Sequence, residues 1–406
     1  MSRLTSSSAP GAAPAGDLLR VLHVVPYFPP SQAGGGIREA ASCLAGAQAA
    51  AGCRVTIVTT DVGSPGSRRP ATTDPGIEIL AFRNLSNTLA WNDVTLPLGL
   101  RTWARRNAAA FDAVHLHGHR HLAALLIARA RAPLPYVLST HGTALRIERR
   151  EGLKRLFDRF AGDRTLQGAK HLFAVSEIEE KQLLSLGVPA AKIRRVANPV
   201  DPSRILPLPD PERFRQRNGI PAGARAILFL GRMTPNKRVD TLLRAVAPLD
   251  DAFLILAGPD GGALRALERE VRVLGLANRV SFTGPLDDSG RREALAAADI
   301  LALPSEHEIF GLAPMEGLLA GVVPVVSAGT GCAERIRSWD AGFVAPVGDP
   351  DALRAAIRRA LDEGEAGRER ARRGARGVRE ELSPEAVARR TIEIYRESGT
   401  EGGISA

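Results

Sequence analysis

The sequence predicts an α/β protein built from two Rossmann-like, doubly wound domains facing each other across a cleft. Three observations carry this. Short apolar runs alternate with longer helical patterns through most of the 406 residues. The first β-loop-α-β unit has a glycine-rich turn, the mark of a parallel, doubly wound sheet. A proline-rich stretch then interrupts the series, after which it restarts. A chain of this length is natural for two such domains.

Taken in order, "MSRLTSSSAPGAAPAG" is rich in Ser, Ala, Pro and Gly and lacks an apolar signal-peptide core, so 1–16 reads as a disordered tail. "LLRVLHVVPYF" (18–28) reads as a buried strand leading into the loop "PPSQAGGG". A helix is predicted from Ile37 to near Gly52, then a strand at "RVTIVTT" (54–60). Further strands are expected at 113–117, 136–140, 171–176 and 193–198, with a long helical pattern in "ALRIERREGLKRLFDRFAG". These define a first domain over 17–200. "NPVDPSRILPLPDPERF" (198–214) marks the boundary, because proline clusters punctuate elements and stiffen connections; the linker is set at 201–222. A second domain, 223–382, follows with strands at 226–232, 252–258, 280–284, 300–305, 322–327 and 342–347. Ser383 as cap, Pro384 at the first helical position and Glu385 open a closing helix over 383–400. Its Val387, Thr391, Ile394 and Tyr395 share one face that must dock somewhere.

Apolar residues make up 44% of the chain but aromatics only 4%, so the cores must be built from Leu, Val, Ile and Ala. The net charge of +10 is almost all arginine, with lysine only at 154, 170, 181, 192 and 237. That balance fits anionic partners or a GC-rich coding sequence equally well. Cys43, Cys53 and Cys332 are widely separated and form neither a disulfide framework nor a metal spacing, which suits a reducing cytosol. No run approaches 18 apolar residues, so no membrane-spanning helix is expected. The three Trp and three Tyr are scattered without pattern, which argues against the stacking platforms of a nucleic-acid binder.

Ligands of such folds bind beyond the carboxyl ends of the strands, so residues just after strands are the candidates. "SEHEIFGLAPMEG" (305–317) follows a predicted strand. Glu308 stands at its end. The first amides of the next helix, near Gly311 and Leu312 after Phe310, lack internal partners and suit a phosphate. Glu316 lies further along that helix, within reach of a pair of ribose hydroxyls. The alternative is a loop charge at Glu308 and a solvated helix residue at Glu316. In "LGRMTPNKRVD" (230–240), Arg232 and Lys237 follow another strand and can neutralise a diphosphate, or form an ordinary basic loop. In "GGGIREA" (34–40), Gly35 and Gly36 let backbone approach a ligand. In "STHGT" (139–143), His141 ends a strand and faces the same cleft, although a lone histidine is often structural.

Two further patterns are set aside. "HLHGHRH" (115–121) places histidines at every second position, but only His115 and His117 share a strand face, and no Asp, Glu or Cys joins them. No metal site is assigned. In "DPD" (349–351), Asp349 reads as a helix cap and Pro350 as the first helical residue.

Taken together, these segments resemble the retaining glycosyltransferases of family 4, which have the GT-B fold. The resemblance runs over about 20–400. It rests on "GGGIREA", "DAVHLHG", "STHGT", "FAVSEIEEKQLLSLGVPAAKIRRVANPVD", "LGRMTPNKRVDTLLRAV", "LPSEHEIFGLAPMEGLLAGVVPVVSA" and "GFVAPVGDPDALRAAI". The pair Glu308 and Glu316 is its most specific element.

The resemblance implies transfer of a sugar from a nucleoside-diphosphate donor, UDP- or GDP-linked, with retention and with no cofactor. Arg232 and Lys237 would bind the diphosphate, Gly311 and Leu312 would donate to its distal phosphate, and Glu316 would hold the ribose. Glu308 and His141 would contact the transferred sugar, and Gly35 and Gly36 would line the donor and acceptor side. Asn198 stands where the family often has Asn-Gly, with Pro199 replacing the glycine. The closing helix would cross back to the first domain.

The implied acceptor is a sugar, a lipid-linked molecule or another small molecule, in cell-surface polysaccharide, glycolipid or glycoconjugate synthesis. A sugar-nucleotide epimerase or a phosphorylase of the same fold is the alternative within enzymes, and a basic nucleic-acid-binding protein the alternative outside them. A cytoplasmic location is expected. "RTWARRN" (101–107) and "RIERREGLKRLFDRF" (146–160) mix Arg with Trp, Leu and Phe. They fit either peripheral contact with an anionic membrane face or helices packed on the first domain.

Overall fold

The computed structural model describes residues 18–28, 35–62, 76–86, 95–131, 135–144 and 162–400. The 1–16 tail, most of the glycine-rich loop and nearly all of "ALRIERREGLKRLFDRFAG" lie outside the described residues.

Two parallel sheets account for the predicted rhythm. In the first domain the strands are β1 (Arg20–Val24), β2 (Arg54–Thr60), β3 (Ile77–Phe82), β4 (Ala113–His117), β5 (Val137–Ser139), β6 (His171–Ala174) and β7 (Ile193–Arg195). They lie in the order β3-β2-β1-β4-β5-β6-β7, with every pairing parallel. The second sheet holds β8 (Arg225–Leu230), β9 (Ala252–Ala257), β10 (Val280–Gly284), β11 (Ile300–Leu303), β12 (Val323–Ser327) and β13 (Phe343–Ala345), in the order β10-β9-β8-β11-β12-β13. Each sheet is doubly wound, reversing direction at one point: β1 beside β4, and β8 beside β11. Such a switch point opens a crevice at the strand ends. Arg232 and Lys237 follow β8, and Glu308 follows β11. All three therefore belong to the crevice of the second sheet.

Both sheets are buried on two faces, so their strands are continuous Val, Ile and Leu runs and not alternating ones. β2, for example, is buried from Val55 through Thr60. β3 was not expected. It is an edge strand, only partly buried along its length. Its segment IEILAF is apolar apart from Glu78, so the strand signal was present in the sequence. β2, β4 and β10 coincide with their predicted runs, and most of the other strands are shorter than theirs, which continue into strand-end loops.

The proline-rich segment after Asn198 is packed and not free. Val200, Ile205, Phe214 and Ile220 are buried in the second-domain core. Asp349 caps the helix Pro350–Asp362 by accepting from the amides of Asp351 and Ala352. The closing helix Pro384–Thr400 starts after Ser383, whose hydroxyl accepts from Ala386 N at 3.3 Å. It leaves the second domain and packs against the helix Gly35–Ala50 and β4 of the first. Val387, Thr391, Ile394 and Tyr395 are all buried, as their shared face required. In the helix Leu100–Asn107, Trp103 packs edge-on to Phe82 at 5.8 Å, so the aromatic side of "RTWARRN" faces its own domain.

Candidate active site

After β8 the chain forms a 3-10 turn, Pro235–Lys237, which aims Lys237 across the crevice at the segment following β11. Lys237 Nζ there forms an ion pair with Glu308 Oε2. The Glu308 backbone is pinned as well: its amide donates to Gly329 O at 3.0 Å, and its carbonyl accepts from Gly331 N at 2.7 Å. Arg232 is exposed, and its guanidinium has no ion-pair partner among the described residues. Its side chain lies against Gly261.

Two residues beyond Glu308, the buried Phe310 stacks under the Arg335 guanidinium, 5.8 Å from the ring centroid. The helix Leu312–Leu319 then starts from Gly311. Gly311 sits at φ +89°, and a Cβ there would come within 2.9 Å of Thr330 Cγ2 and 3.0 Å of Cys332 Sγ. Only glycine fits this turn. Because the cap is a glycine with no side-chain bond, the first amides of the helix keep their donors for something else.

Glu316 is buried, and burial raises its pKa above the ordinary carboxylate value. Its partner is Arg291, 2.7 Å away on the helix Asp288–Ala297. Arg291 also lies 3.8 Å from Glu39 of the first domain, and Glu39 is paired at 3.0 Å with Arg204. The Glu316 carboxylate thus ends a charge chain that crosses the domain boundary. Arg291 and Glu39 were not expected. Their pairing joins segments far apart in the chain, and nothing local marks either residue.

The first domain supplies the opposite wall. Gly36 faces Leu312: a Cβ built on it would lie 4.0 Å from Leu312 Cδ1. Gly142, at φ +77°, packs so closely on Ile309 that a Cβ would fall 2.3 Å from Cγ1. His141, beside it, has the uncommon φ of +48°. The loop that forces this is held by Glu179, fully buried on the helix Glu177–Ser185. Its carboxylate accepts from Thr140 Oγ1 at 2.5 Å, Gly142 N at 2.6 Å and Val175 N at 2.9 Å. The signal for Glu179 was legible. Ser176-x-x-Glu179 is a capping-box pattern, and Ser176 does accept from the Glu179 amide at 3.3 Å. The carboxylate, however, reaches past its own cap to fix the His141 loop.

Behind His141 lies a buried histidine cluster. His23 on β1 is in register with His115 on β4, and His117 shares their face. Their ring nitrogens lie close enough together to suggest a metal centre. Every one of those nitrogens is nonetheless already bonded to the protein. His23 Nδ1 meets His117 Nε2 at 2.9 Å, and His23 Nε2 meets Gln48 Oε1 at 2.7 Å. His117 Nδ1 meets His141 Nε2 at 3.1 Å. His115 bonds Tyr395 Oη and Ser139 Oγ, both at 2.7 Å. A metal would have to break these bonds, so the donor set fits a hydrogen-bond network and not a cation. Burial holds His23 and His141 down to about 4, with Gln48 and Asn198 respectively opposing it. His115 and His117 lie well below the ordinary value, through burial and then their neighbouring rings. His121 joins the cluster through its Nε2, which donates to His117 O at 2.9 Å, while its Nδ1 caps the helix Leu122–Arg131, accepting from Ala124 N at 3.2 Å.

The structure therefore places Lys237, Glu308, Gly311, Leu312 and Glu316 on the segments after β8 and β11, Gly36 and His141 on first-domain segments beside them, Phe310 buried beneath Arg335, and Arg232 exposed after β8. Gly35 opens the helix Gly35–Ala50.

Comparison with known proteins gives concordant results. Residues 210–378 match the family model described as "Glycosyl transferases group 1", and residues 35–199 match "Glycosyl transferase 4-like domain". A D-inositol 3-phosphate glycosyltransferase of a Nocardioides species is 30% identical over 74% of this chain and 70% of its own length. The enzyme of the same description from Kineococcus radiotolerans is 31% identical, over 57% of this chain and 58% of its own length. Among solved structures, Anabaena HepE in complex with UDP and glucose superposes with a TM-score of 0.74 at 19% identity, covering 93% of this chain and 100% of that one. Sucrose-phosphate synthase from Thermosynechococcus elongatus superposes at 0.75 with 21% identity, covering 94% and 100%. These superpositions identify the architecture as GT-B.

Proposed function

The chain belongs to the group 1 glycosyltransferases, and from that premise we propose that it moves a sugar from a UDP- or GDP-linked donor, with retention of configuration, to an acceptor at the first-domain wall. The observation that carries this reading is the Lys237–Glu308 pair set beside the glycine-capped helix at Gly311, opposite His141. In this reading the fixed positive charge and unpaired amides would receive the diphosphate, and the Glu308 carboxylate the sugar. Support for the nucleotide comes from HepE, solved with UDP and with UDP-glucose.

The mechanism follows from where charge develops. Cleavage at the anomeric carbon leaves an electron-poor sugar and adds negative charge to the departing diphosphate. Lys237, Arg232 and the first amides of the Leu312–Leu319 helix are oriented before the reaction, so they stabilise that charge without reorganising. The departing phosphate oxygen takes the acceptor's proton on the same face, which gives retention. Glu308 and His141 hold sugar hydroxyls, and Glu316, released from Arg291, holds the ribose. Contact of the Gly36 and Gly142 wall with Leu312 and Ile309 excludes water from the donor.

The curated relatives are inositol 3-phosphate glycosyltransferases by name, which makes a phosphorylated polyol one acceptor to test, beside sugar and lipid-linked acceptors. The deciding experiment is a thermal-shift panel of UDP-, GDP- and ADP-sugars, since a ligand that binds the native state raises its melting temperature. A shift is expected with a UDP- or GDP-sugar and is lost in Glu316→Ala and Lys237→Ala. A shift that survives both substitutions would overturn the assignment of the donor site.

A further inference from the structure

The bonds behind His141 form a chain whose direction can be worked out from its far end. Thr391 donates its hydroxyl proton to Ala388 O at 2.9 Å, so towards Gln48 it can only accept. Gln48 Nε2 donates to Thr391 Oγ1 at 2.8 Å and to Tyr395 Oη at 3.3 Å. That fixes the amide orientation and turns Gln48 Oε1, a pure acceptor, toward His23 Nε2. His23 therefore carries its proton on Nε2 and offers Nδ1 as an acceptor. His117 answers with Nε2–H and offers its own Nδ1, and His141 answers that with Nε2–H. A neutral imidazole has one donor and one acceptor nitrogen, so each link determines the next. The parallel branch agrees. Tyr395 Oη accepts from Gln48, donates to His115 Nδ1, and leaves His115 Nε2–H for Ser139.

We infer that Gln48, His23 and His117, anchored by Thr391 and Tyr395 of the closing helix, are positioning residues that lock His141 as its Nε2–H tautomer and leave Nδ1 as its one acceptor nitrogen, open to the neighbouring Asn198 side chain or to a ligand in the cleft. The chain couples the closing helix, which belongs to neither sheet, to the side chain placed against the transferred sugar. The catalytic consequence rests on the function proposed above; the tautomer assignment does not.

The test uses the full-length protein with ¹⁵N-labelled histidine at neutral pH, where long-range proton–nitrogen couplings read the tautomer of each ring. His141→Gln identifies the His141 signals. In the wild type, His23, His117 and His141 are expected as Nε2–H. In His23→Leu, His117 loses its acceptor and turns to Nδ1–H, which drives His141 to Nδ1–H. The kcat then falls about tenfold or more while the donor KM stays within about twofold, as expected for a misplaced group. His23→Asn keeps an acceptor near the lost Nδ1, and it is expected to restore both the spectrum and kcat. A wild-type His141 that is Nδ1–H or charged overturns the inference, and so does a His23→Leu protein whose spectrum or kcat is unchanged. If His23→Leu does not fold, the wild-type spectrum alone decides. Loss of nucleotide binding in the thermal-shift panel would count against the proposed function and leave the tautomer result standing.

Discussion

Lys237 and Glu308 lie 71 positions apart in the chain and form one ion pair across the switch point of the second sheet. The pair is only partly exposed, 16% for the lysine side chain and 23% for the glutamate. Each residue therefore holds the other in place, and under the proposed function a donor diphosphate would compete for the ammonium. Lys237→Ala is expected to lower kcat/KM about 10²- to 10³-fold, the range for removing one donor to developing negative charge. Glu308→Gln keeps the shape and frees the ammonium. It should cost activity about tenfold and change stability by less than about 1 kcal/mol. Steady-state kinetics with saturating acceptor, together with urea unfolding, measure both.

Gly311 is required by conformation and by space. Gly311→Ala puts a methyl group against Thr330 and Cys332 at a left-handed backbone position. A cost of about 1–3 kcal/mol is expected. The donor KM should rise as well, because the helix start must shift to accommodate the change. An alanine variant with wild-type KM and wild-type unfolding midpoint would show that the turn is not constrained in this way.

Arg291 offsets the burial of the Glu316 charge. Removing it in Arg291→Ala leaves a buried carboxylate without its partner, and the cost exists only while that carboxylate is ionised. Glu316 already has a raised pKa, and the variant raises it further. The destabilisation should therefore be about 2 kcal/mol at pH 8 and shrink as pH falls toward 5. Urea midpoints at both pH values test the sign. A penalty that is equal at both would contradict it.

The histidines set an acid limit. Those at 23, 121 and 141 sit at about 4, and those at 115 and 117 well below their ordinary value. Unfolded histidine titrates near 6.5. Between about pH 6.5 and 4 the unfolded chain binds protons that the folded chain refuses, so stability falls as pH falls through that window. Each imidazole contributes up to about 1.4 kcal/mol per pH unit. Glu179 and Glu316, raised by burial, act in the opposite direction, but six depressed imidazoles, His171 included, outweigh two raised carboxyls. His23→Asn should flatten the slope by about one imidazole's share. A slope of the opposite sign in the wild type would contradict the buried, neutral network.

The sequence made legible what is local. Continuous Val, Ile and Leu runs marked the buried strands, and glycine, proline and serine marked the helix ends at Asp349 and Ser383. The residues following β8 and β11 stood out because strand ends are where parallel sheets bind ligands. β3 was missed although its segment IEILAF is apolar apart from Glu78. Gln48, Arg291 and Glu39 escaped because their roles exist only through partners brought near by the fold. His23 is a single histidine in an apolar strand, and only the register of β1 on β4 joins it to His115 and His117.

The most direct measurement is a crystal structure of the protein with a bound nucleoside diphosphate. The account predicts the distal phosphate within hydrogen-bonding distance of Lys237 Nζ and the Leu312 amide, the ribose hydroxyls on Glu316, and Arg291 displaced from that carboxylate. A diphosphate bound elsewhere, with the Lys237–Glu308 and Arg291–Glu316 pairs undisturbed, would contradict it.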